Sequence, residues 1–149
     1  MNLATYVERR VEQFPTKMAI RCGIQRFTYE EFWSQVNQFG NGLRSLGIGK
    51  TDRLAVMLPN CPELLIAHWA ALKIGGTFAP INTMFKEKEL TYILKNSGAK
   101  AAVTSTAFLP LFENVWNDCS QLEHLILIDE SVAGTVDFRG LVNASSQNL

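Results

Sequence analysis

The stretch GIGKTD, residues 47–52, is the first candidate for chemistry, because its Gly-Lys-Thr triplet matches the end of a phosphate-binding loop in which a lysine reaches a phosphate. That loop needs another glycine five residues earlier, but Arg44 occupies the position. A phosphate loop also runs from a strand into a helix, whereas this triplet runs from a predicted helix into a predicted strand. We therefore interpret Gly47 as the left-handed cap of a helix, and Lys50 as part of a connecting turn.

The segment VTSTAF, residues 103–108, is a second candidate, because hydroxyl side chains follow a predicted strand. Phosphate binding at such a place needs glycines for close backbone approach and a lysine for charge. Residues 105–118 contain no glycine, lysine or arginine. The pattern therefore favours a structural role for these hydroxyls.

The remaining polar side chains form no catalytic set. His68 lies within an apolar helix pattern and is interpreted as a packed histidine, while His124 opens a strand without an acidic partner at a fixed spacing. The cluster FKEKEL, residues 85–90, suits the first turn of a helix, where glutamates complement the helix dipole. No catalytic, cofactor-binding or metal-ligating residue is predicted within residues 1–149.

Three cysteines, Cys22, Cys61 and Cys119, are widely spaced and lack the spacing of a metal site. They indicate reduced thiols, and therefore a cytoplasmic location. The beginning of the sequence, MNLATYVERR, carries charges where a signal peptide needs an apolar core.

The composition bounds the class of protein. The 149 residues have zero formal net charge, with 47% hydrophobic and 19% charged residues, which fits one folded domain. The balanced charge gives no support for binding nucleic acid or an anionic membrane. The most apolar predicted helix, around residues 64–74, is too short to cross a bilayer.

Helical and strand patterns alternate along the chain. Helices are predicted at residues 2–13, 28–47, 62–74, 87–97 and 107–118, and strands at 18–22, 25–29, 53–58, 77–81, 99–105 and 124–128. Residues 129–149 are weakly patterned and are expected to form a loop with one short turn. This alternation predicts an α/β fold, in which a mostly parallel sheet carries helices on both faces.

Capping signals sharpen two of these helices. Thr28 and Glu31 form a capping box, in which each side chain pairs with a free backbone N–H of the first turn. Asn60 and Glu63 suggest a similar start for the helix at 62–74, which is apolar nearly all round and is expected to be buried.

Four segments together resemble a known family. FTYEEF (27–32), GKTDRLAVMLPNCPE (49–63), LKIGGTFAPIN (72–82) and ELTYILKNSGAKAAVTS (89–105) are similar, in order and spacing, to the N-terminal part of AMP-forming acyl-CoA synthetases. That superfamily includes nonribosomal-peptide adenylation domains and luciferases. Related enzymes usually have Gly-Asp-Arg after the turn lysine, but Thr51 stands here in place of that glycine.

The resemblance implies an ATP-dependent ligase that makes an acyl-adenylate from a carboxylate and then a thioester with CoA, using Mg²⁺. Its phosphate loop, its acidic ribose and magnesium ligands and its C-terminal domain have no counterpart in residues 1–149. We therefore expect a piece or a split domain of such an enzyme, inactive alone, with no bound cofactor and with the remainder of the enzyme as its partner. The absence of arginine from residues 105–118 argues against the acetate-activating branch and favours fatty acyl or aryl ligases.

Two alternatives remain open from the residues alone. One is a free-standing α/β module that binds a nucleotide or another small ligand beyond its strand ends. The other is an interaction domain, suggested by the low charge and the apolar 62–74 helix. If the chain is instead a piece of a ligase, surface that the rest of the enzyme normally covers is expected to be exposed as an apolar patch or a sheet edge, and with it self-association.

Overall fold

The part of the chain that the computed structural model describes, residues 3–149, consists of six α-helices and seven β-strands in alternation. The helices are α1 (Ala4–Gln13), α2 (Tyr29–Ser45), α3 (Pro62–Lys73), α4 (Glu87–Ser97), α5 (Leu109–Val115) and α6 (Phe138–Asn143). The strands are β1 (Met18–Cys22), β2 (Gln25–Thr28), β3 (Arg53–Val56), β4 (Thr77–Pro80), β5 (Ala101–Thr104), β6 (His124–Leu127) and β7 (Val136–Asp137).

Two sheets organise these elements. Strands β1 and β2 form an antiparallel hairpin, and the other five strands form a parallel sheet in the order β4-β3-β5-β6-β7. The α/β fold class with a mostly parallel sheet is thereby confirmed. The chain moves outward from β3 to β4, then returns past β3 to β5 and continues the other way to β6.

One hydrophobic core lies on each face of the five-stranded sheet. The core on one face joins α1, α2, α3 and α6, where Phe39 and Phe138 stack with their ring centroids 4.3 Å apart. The core on the other face joins α4 and α5 through Leu90, Leu94 and Phe112, all of them buried. Helices therefore cover both faces, which explains why β3 and β5 show no alternation of polar and apolar residues.

Several local signals are confirmed. The backbone N–H of Glu31 donates to Thr28 Oγ1 at 3.2 Å, and the N–H of Thr28 donates to Glu31 Oε2 at 2.8 Å, which completes the capping box of α2. Helix α4 has the predicted bounds and ends at Gly98, whose φ of 62° lies in the left-handed region. The predicted end of the first helix is also confirmed, while its predicted start at residue 2 lies outside the described residues.

The predicted start of α3 at residue 62 is confirmed, but its N-cap and its burial were predicted wrongly. Its N-cap is Cys61 rather than Asn60, because Pro62 occupies the first helical turn, where its missing N–H leaves no bond unmade. The helix is buried on one side through Ile66 and Ala70, while Leu65 on the other side remains 37% exposed. It is therefore a half-buried helix despite its apolar composition.

The prediction for residues 129–149 was also wrong. Instead of a loop, this segment adds β7 to the sheet edge and then forms α6, whose N-cap Asp137 accepts from the N–H groups of Arg139 and Gly140. The helix predicted at 107–118 is divided as well. It consists of a 3-10 turn at Thr106–Phe108, α5 and a second 3-10 turn at Trp116–Asp118.

Two glycines of α2 bring the end of the chain close to this helix. A Cβ at Gly42 would lie 2.4 Å from Leu141 Cγ, and one at Gly40 would lie 2.4 Å from Leu149 Cδ2. Between them, the Asn41 amide donates to the carbonyls of Ser146 and Asn148 at 2.8 and 2.7 Å. The sequence Gly-Asn-Gly is therefore a docking groove for α6 and the residues after it.

The turn from α2 into β3 has an unusual backbone. Gly47 has a φ of 76°, as expected for a left-handed cap, but Thr51 also has a positive φ, of 74°. Its N–H donates to the carbonyl of Gly75 at 3.0 Å, which ties the turn to the end of α3. A Cβ at Gly76 would lie 3.0 Å from the Asp52 carbonyl, so a glycine is required where the two turns meet.

Strand β4 forms one edge of the five-stranded sheet. It pairs with β3 alone, and its last residue is Pro80, whose missing N–H is tolerated at a strand edge or end. Beyond it, the Met84 N–H donates to Asn82 Oδ1 at 2.9 Å, so Asn82 closes the following turn with its own side chain.

Candidate functional site

The crevice between the carboxyl ends of β3 and β5 is the candidate functional site. These neighbouring strands lead to crossovers in opposite directions, to β4 and to β6 respectively. In open α/β sheets, ligands bind at such a switch point, beyond the carboxyl ends of the strands.

Thr104 joins the carboxyl ends of β5 and β3 at this place. Its side chain is fully buried, and its hydroxyl donates to the carbonyl of Met57 at 2.9 Å. The N–H of Met57 in turn donates to the carbonyl of Val103 at 3.0 Å, so β3 and β5 remain paired to their last residues. The hydroxyl therefore satisfies a buried carbonyl and contributes to the stability of the crevice.

Asp129 orders the segment that follows β5. It accepts from the N–H of Thr106 at 3.0 Å and from the Thr106 hydroxyl at 2.7 Å. Burial, the largest single influence, raises the pKa of Asp129, but the hydrogen bonds from Thr106 and neighbouring N–H groups together outweigh it and leave the pKa below its usual value. The hydroxyl of Thr106 thus donates its hydrogen bond to a carboxylate of the protein itself.

Lys50 lies at the opposite edge of the sheet, before the amino end of β3. In the same turn, the N–H of Gly49 donates to Asp52 Oδ2 at 2.9 Å. Lys100 Nζ lies 3.7 Å from that oxygen and donates to the carbonyl of Gly47 at 2.7 Å. The turn is therefore held by protein groups, and the structure does not bring Lys50 to the candidate crevice.

The two histidines lie apart from the crevice. His68 stacks on Phe78 with a centroid distance of 4.5 Å, and burial lowers the pKa of its imidazole. His124 Nε2 lies 3.1 Å from the carbonyl of Leu46, a contact that joins β6 to the end of α2. The interpretation of His68 as a packed histidine agrees with this geometry.

The cysteines and acidic residues form no metal centre within the described part of the chain, because no three His, Cys, Asp or Glu side chains there are placed to hold an ion. Cys119 is buried, while Cys22 and Cys61 are half-buried, and all three are free thiols. Burial raises the pKa of both the Cys61 and the Cys119 thiol. In the cluster at 85–90, the N–H of Lys86 donates to Glu89 Oε2 at 3.1 Å, as expected for the start of a helix.

Comparison with known proteins supplies the family. Residues 7–146, nearly the whole chain, match the family described as AMP-binding enzyme. The chain belongs to this family. It is 36% identical over 130 residues to a crotonobetaine/carnitine–CoA ligase of Escherichia coli O1:K1, an alignment that covers 85% of the chain and 25% of the relative. The chain thus spans about a quarter of the length of the curated relatives that it matches.

Solved structures of CoA ligases share the fold of this chain. An anthranilate CoA ligase in complex with anthranoyl-AMP superposes with a TM-score of 0.96 at 25% identity, over 100% of this chain and 29% of that one. A benzoate CoA ligase from Burkholderia xenovorans LB400 gives 0.84 at 26% identity, over 99% and 29%. The N-terminal part of an adenylate-forming CoA ligase is therefore the architecture of this chain.

The sequence did not predict the two interactions that shape the candidate crevice. The bond from Thr104 to Met57 and the bond from Thr106 to Asp129 both join the carboxyl end of one strand, or the residues just after it, to residues that follow a neighbouring strand. The available signal was a hydroxyl side chain at the end of a predicted parallel strand, because the carboxyl ends of neighbouring parallel strands lie side by side.

Within residues 3–149, no helix has both the length and the apolar character needed to cross a membrane.

Proposed function

We propose that this chain forms the N-terminal part of an ATP-dependent acid–CoA ligase. In this reaction a carboxylate oxygen attacks the α-phosphorus of ATP and pyrophosphate leaves. The thiol of CoA then attacks the acyl carbonyl and AMP leaves. The observation that supports the proposal is the family match over residues 7–146, together with relatives and structural neighbours that are CoA ligases.

The residues of this chain act as a scaffold in this proposal. The described part offers no cluster of acidic or histidine side chains for Mg²⁺, and the hydroxyls at the carboxyl edge are bound to protein acceptors. These residues do not fit the metal or the triphosphate, so no chemical step is assigned to them. Their role is to keep the carboxyl edge of the sheet rigid against the remainder of the enzyme.

Exchange of radiolabelled pyrophosphate into ATP, measured with a panel of carboxylic acids, tests this proposal. We expect no exchange by the 149-residue chain and acid-dependent exchange by a longer chain that contains the phosphate loop and the C-terminal domain. Exchange by the 149 residues alone would refute the scaffold role. A longer, folded chain that is inactive with fatty, aryl and betaine acids would refute the ligase function.

The substrate class and the location are also proposals. The absence of arginine from residues 105–118 favours a fatty acyl or aryl acid over acetate. The three free thiols favour the reducing cytoplasm.

Self-association of the separate chain is proposed from its exposed apolar side chains. Ile24 is 98% exposed, Met84 79% and Tyr92 68%, well above the exposure usual for such residues. We expect light scattering at high concentration to detect dimers or larger species. A monomer at every concentration would contradict the proposal.

A further inference from the structure

A cavity of about 340 Å³ lies away from the candidate crevice, between the β1–β2 hairpin and helices α2, α3 and α6. Its volume is within the range of small-molecule sites in proteins. Its floor is apolar, because Phe27 is half-buried and Phe138 and Val142 are buried. None of the residues that shape the crevice, Thr104, Thr106 or Asp129, lines it.

Amide side chains form the walls of this cavity. They come from three elements that lie far apart in the sequence, namely β2 (Gln25), α2 (Gln35 and Gln38) and α6 (Asn143). Gln38 donates to the Ser145 carbonyl at a long 3.4 Å, while the other three amides have no hydrogen-bond partner among residues 3–149. Each free amide offers one acceptor and two donors, which is the complement of a peptide group.

One acid and one base complete the lining. Glu63 of α3 and Arg139 of α6 both face the cavity, yet within the described chain they form no ion pair with each other or with any other residue. The cavity is therefore lined by one negative and one positive side chain that are not paired with each other. A ligand with an ammonium group and a carboxylate at its two ends would neutralise both.

We propose that this cavity binds a small amide-containing zwitterion, the simplest example of which is a dipeptide. The ammonium group pairs with Glu63, the carboxylate pairs with Arg139, and the peptide group bonds with the free glutamine and asparagine amides. The aliphatic part of the ligand lies on the floor formed by Phe27 and Phe138. The site is separate from adenylate chemistry, and its test does not depend on ligase activity.

A titration of the isotope-labelled chain with alanyl-glutamine, followed by NMR, tests the proposal. We expect shift changes confined to residues of the cavity. Glu63→Gln retains the side-chain size and Arg139→Gln shortens the side chain, and each removes one charge-assisted hydrogen bond, so each is expected to weaken binding about tenfold or more. Both residues are at least partly exposed, and unchanged spectra of the free variants show that the fold is intact.

Matched controls separate the two charges from general electrostatics. Arg26→Gln changes an exposed arginine on β2 that points away from Gln25 and Phe27, and Glu12→Gln changes an exposed acid on α1. Both are expected to leave the dissociation constant within about twofold, because exposed charges beyond the contact shell are screened.

Capped probes identify which end of the ligand meets which charge. N-acetyl-alanyl-glutamine lacks the ammonium group, so its weak binding should not change further in Glu63→Gln. Alanyl-glutaminamide lacks the carboxylate and should likewise be insensitive to Arg139→Gln. No shift change up to about 10 mM probe, changes located outside the cavity, or equal binding by all variants would each overturn the proposal, the first because it places the affinity below about 3 kcal/mol.

Discussion

The positive φ of Thr51 gives a prediction whose sign can be worked out from the structure. At 74°, this β-branched residue has the left-handed backbone conformation, which costs a non-glycine residue about 1–2 kcal/mol. Thr51→Gly removes that strain. Glycine also gives the unfolded chain more freedom, which takes back about 0.4–1 kcal/mol. The hydrogen bond from the N–H at this position to the Gly75 carbonyl is unaffected, because it belongs to the backbone.

The net expectation is a gain of about 0.5–1 kcal/mol in the free energy of unfolding, or about 1–4 °C in the thermal midpoint for a chain of this size. Urea unfolding followed by circular dichroism measures the first quantity, and calorimetry measures the second. Thr51→Asn should give a smaller gain. Asparagine tolerates the left-handed region better than threonine does, but it keeps a Cβ and so relieves only part of the strain.

Thr83→Gly is the matched control, since Thr51 is the only non-glycine residue with positive φ between residues 3 and 149. The same replacement there relieves no strain and should lower the free energy of unfolding by about 0.4–1 kcal/mol. Equal losses of stability at the two positions would refute the assignment of strain to Thr51.

Three further predictions concern packing and protonation. Thr104→Val should cost about 1–3 kcal/mol in urea unfolding, because it leaves a buried carbonyl at the end of β3 without its donor. Gly42→Ala should destabilise the chain by about 1–3 kcal/mol, because the added methyl meets Leu141 at its branch point. Gly40→Ala should cost less, because its methyl meets the movable tip of Leu149 and lies 3.3 Å from Ile74 Cγ2. Burial lowers the pKa of His68, so the unfolded chain takes up this proton before the folded chain as the pH falls below about 6.5. The neutral ring therefore makes its full contribution to the free energy of unfolding above that pH. This contribution is lost as the pH falls further. His68→Phe should therefore show a smaller loss of stability between pH 7 and pH 5, and an unchanged loss would contradict the shift.

Local signals predicted most of this fold because they depend on neighbouring residues only. The capping box at Thr28 and the left-handed cap at Gly98 are complete within four or five residues of sequence. The same kind of signal failed at α3, where Asn60 and Glu63 suggested a cap one residue before the observed N-cap, Cys61, which directly precedes Pro62. A proline in the first turn is thus the stronger indicator of the two.

The parts that could not be predicted depend on contacts between distant residues. Helix α6 has a weak pattern of its own, and it is held by the stacking of Phe138 on Phe39 and by the groove at Gly42. Asp129 and Thr106 come together only through the register of β5 with β6. The alternation of helix and strand patterns did predict the parallel sheet, but it gave no side-chain partner at its carboxyl edge.

Pro80 determines what the outer side of β4 can offer to another chain. The N–H groups of Thr77 and Ile81 donate to the carbonyls of Asp52, just before β3, and Val56, each at 2.8 Å, so alternate residues direct their nitrogen atoms away from the sheet. Pro80 is one of the residues whose nitrogen points away from the sheet, and it has no N–H. Phe78 is therefore the sole outward donor within the strand. An incoming polypeptide would find too few donors there to extend the ladder. The β4 border is therefore a poor template for the growth of fibres.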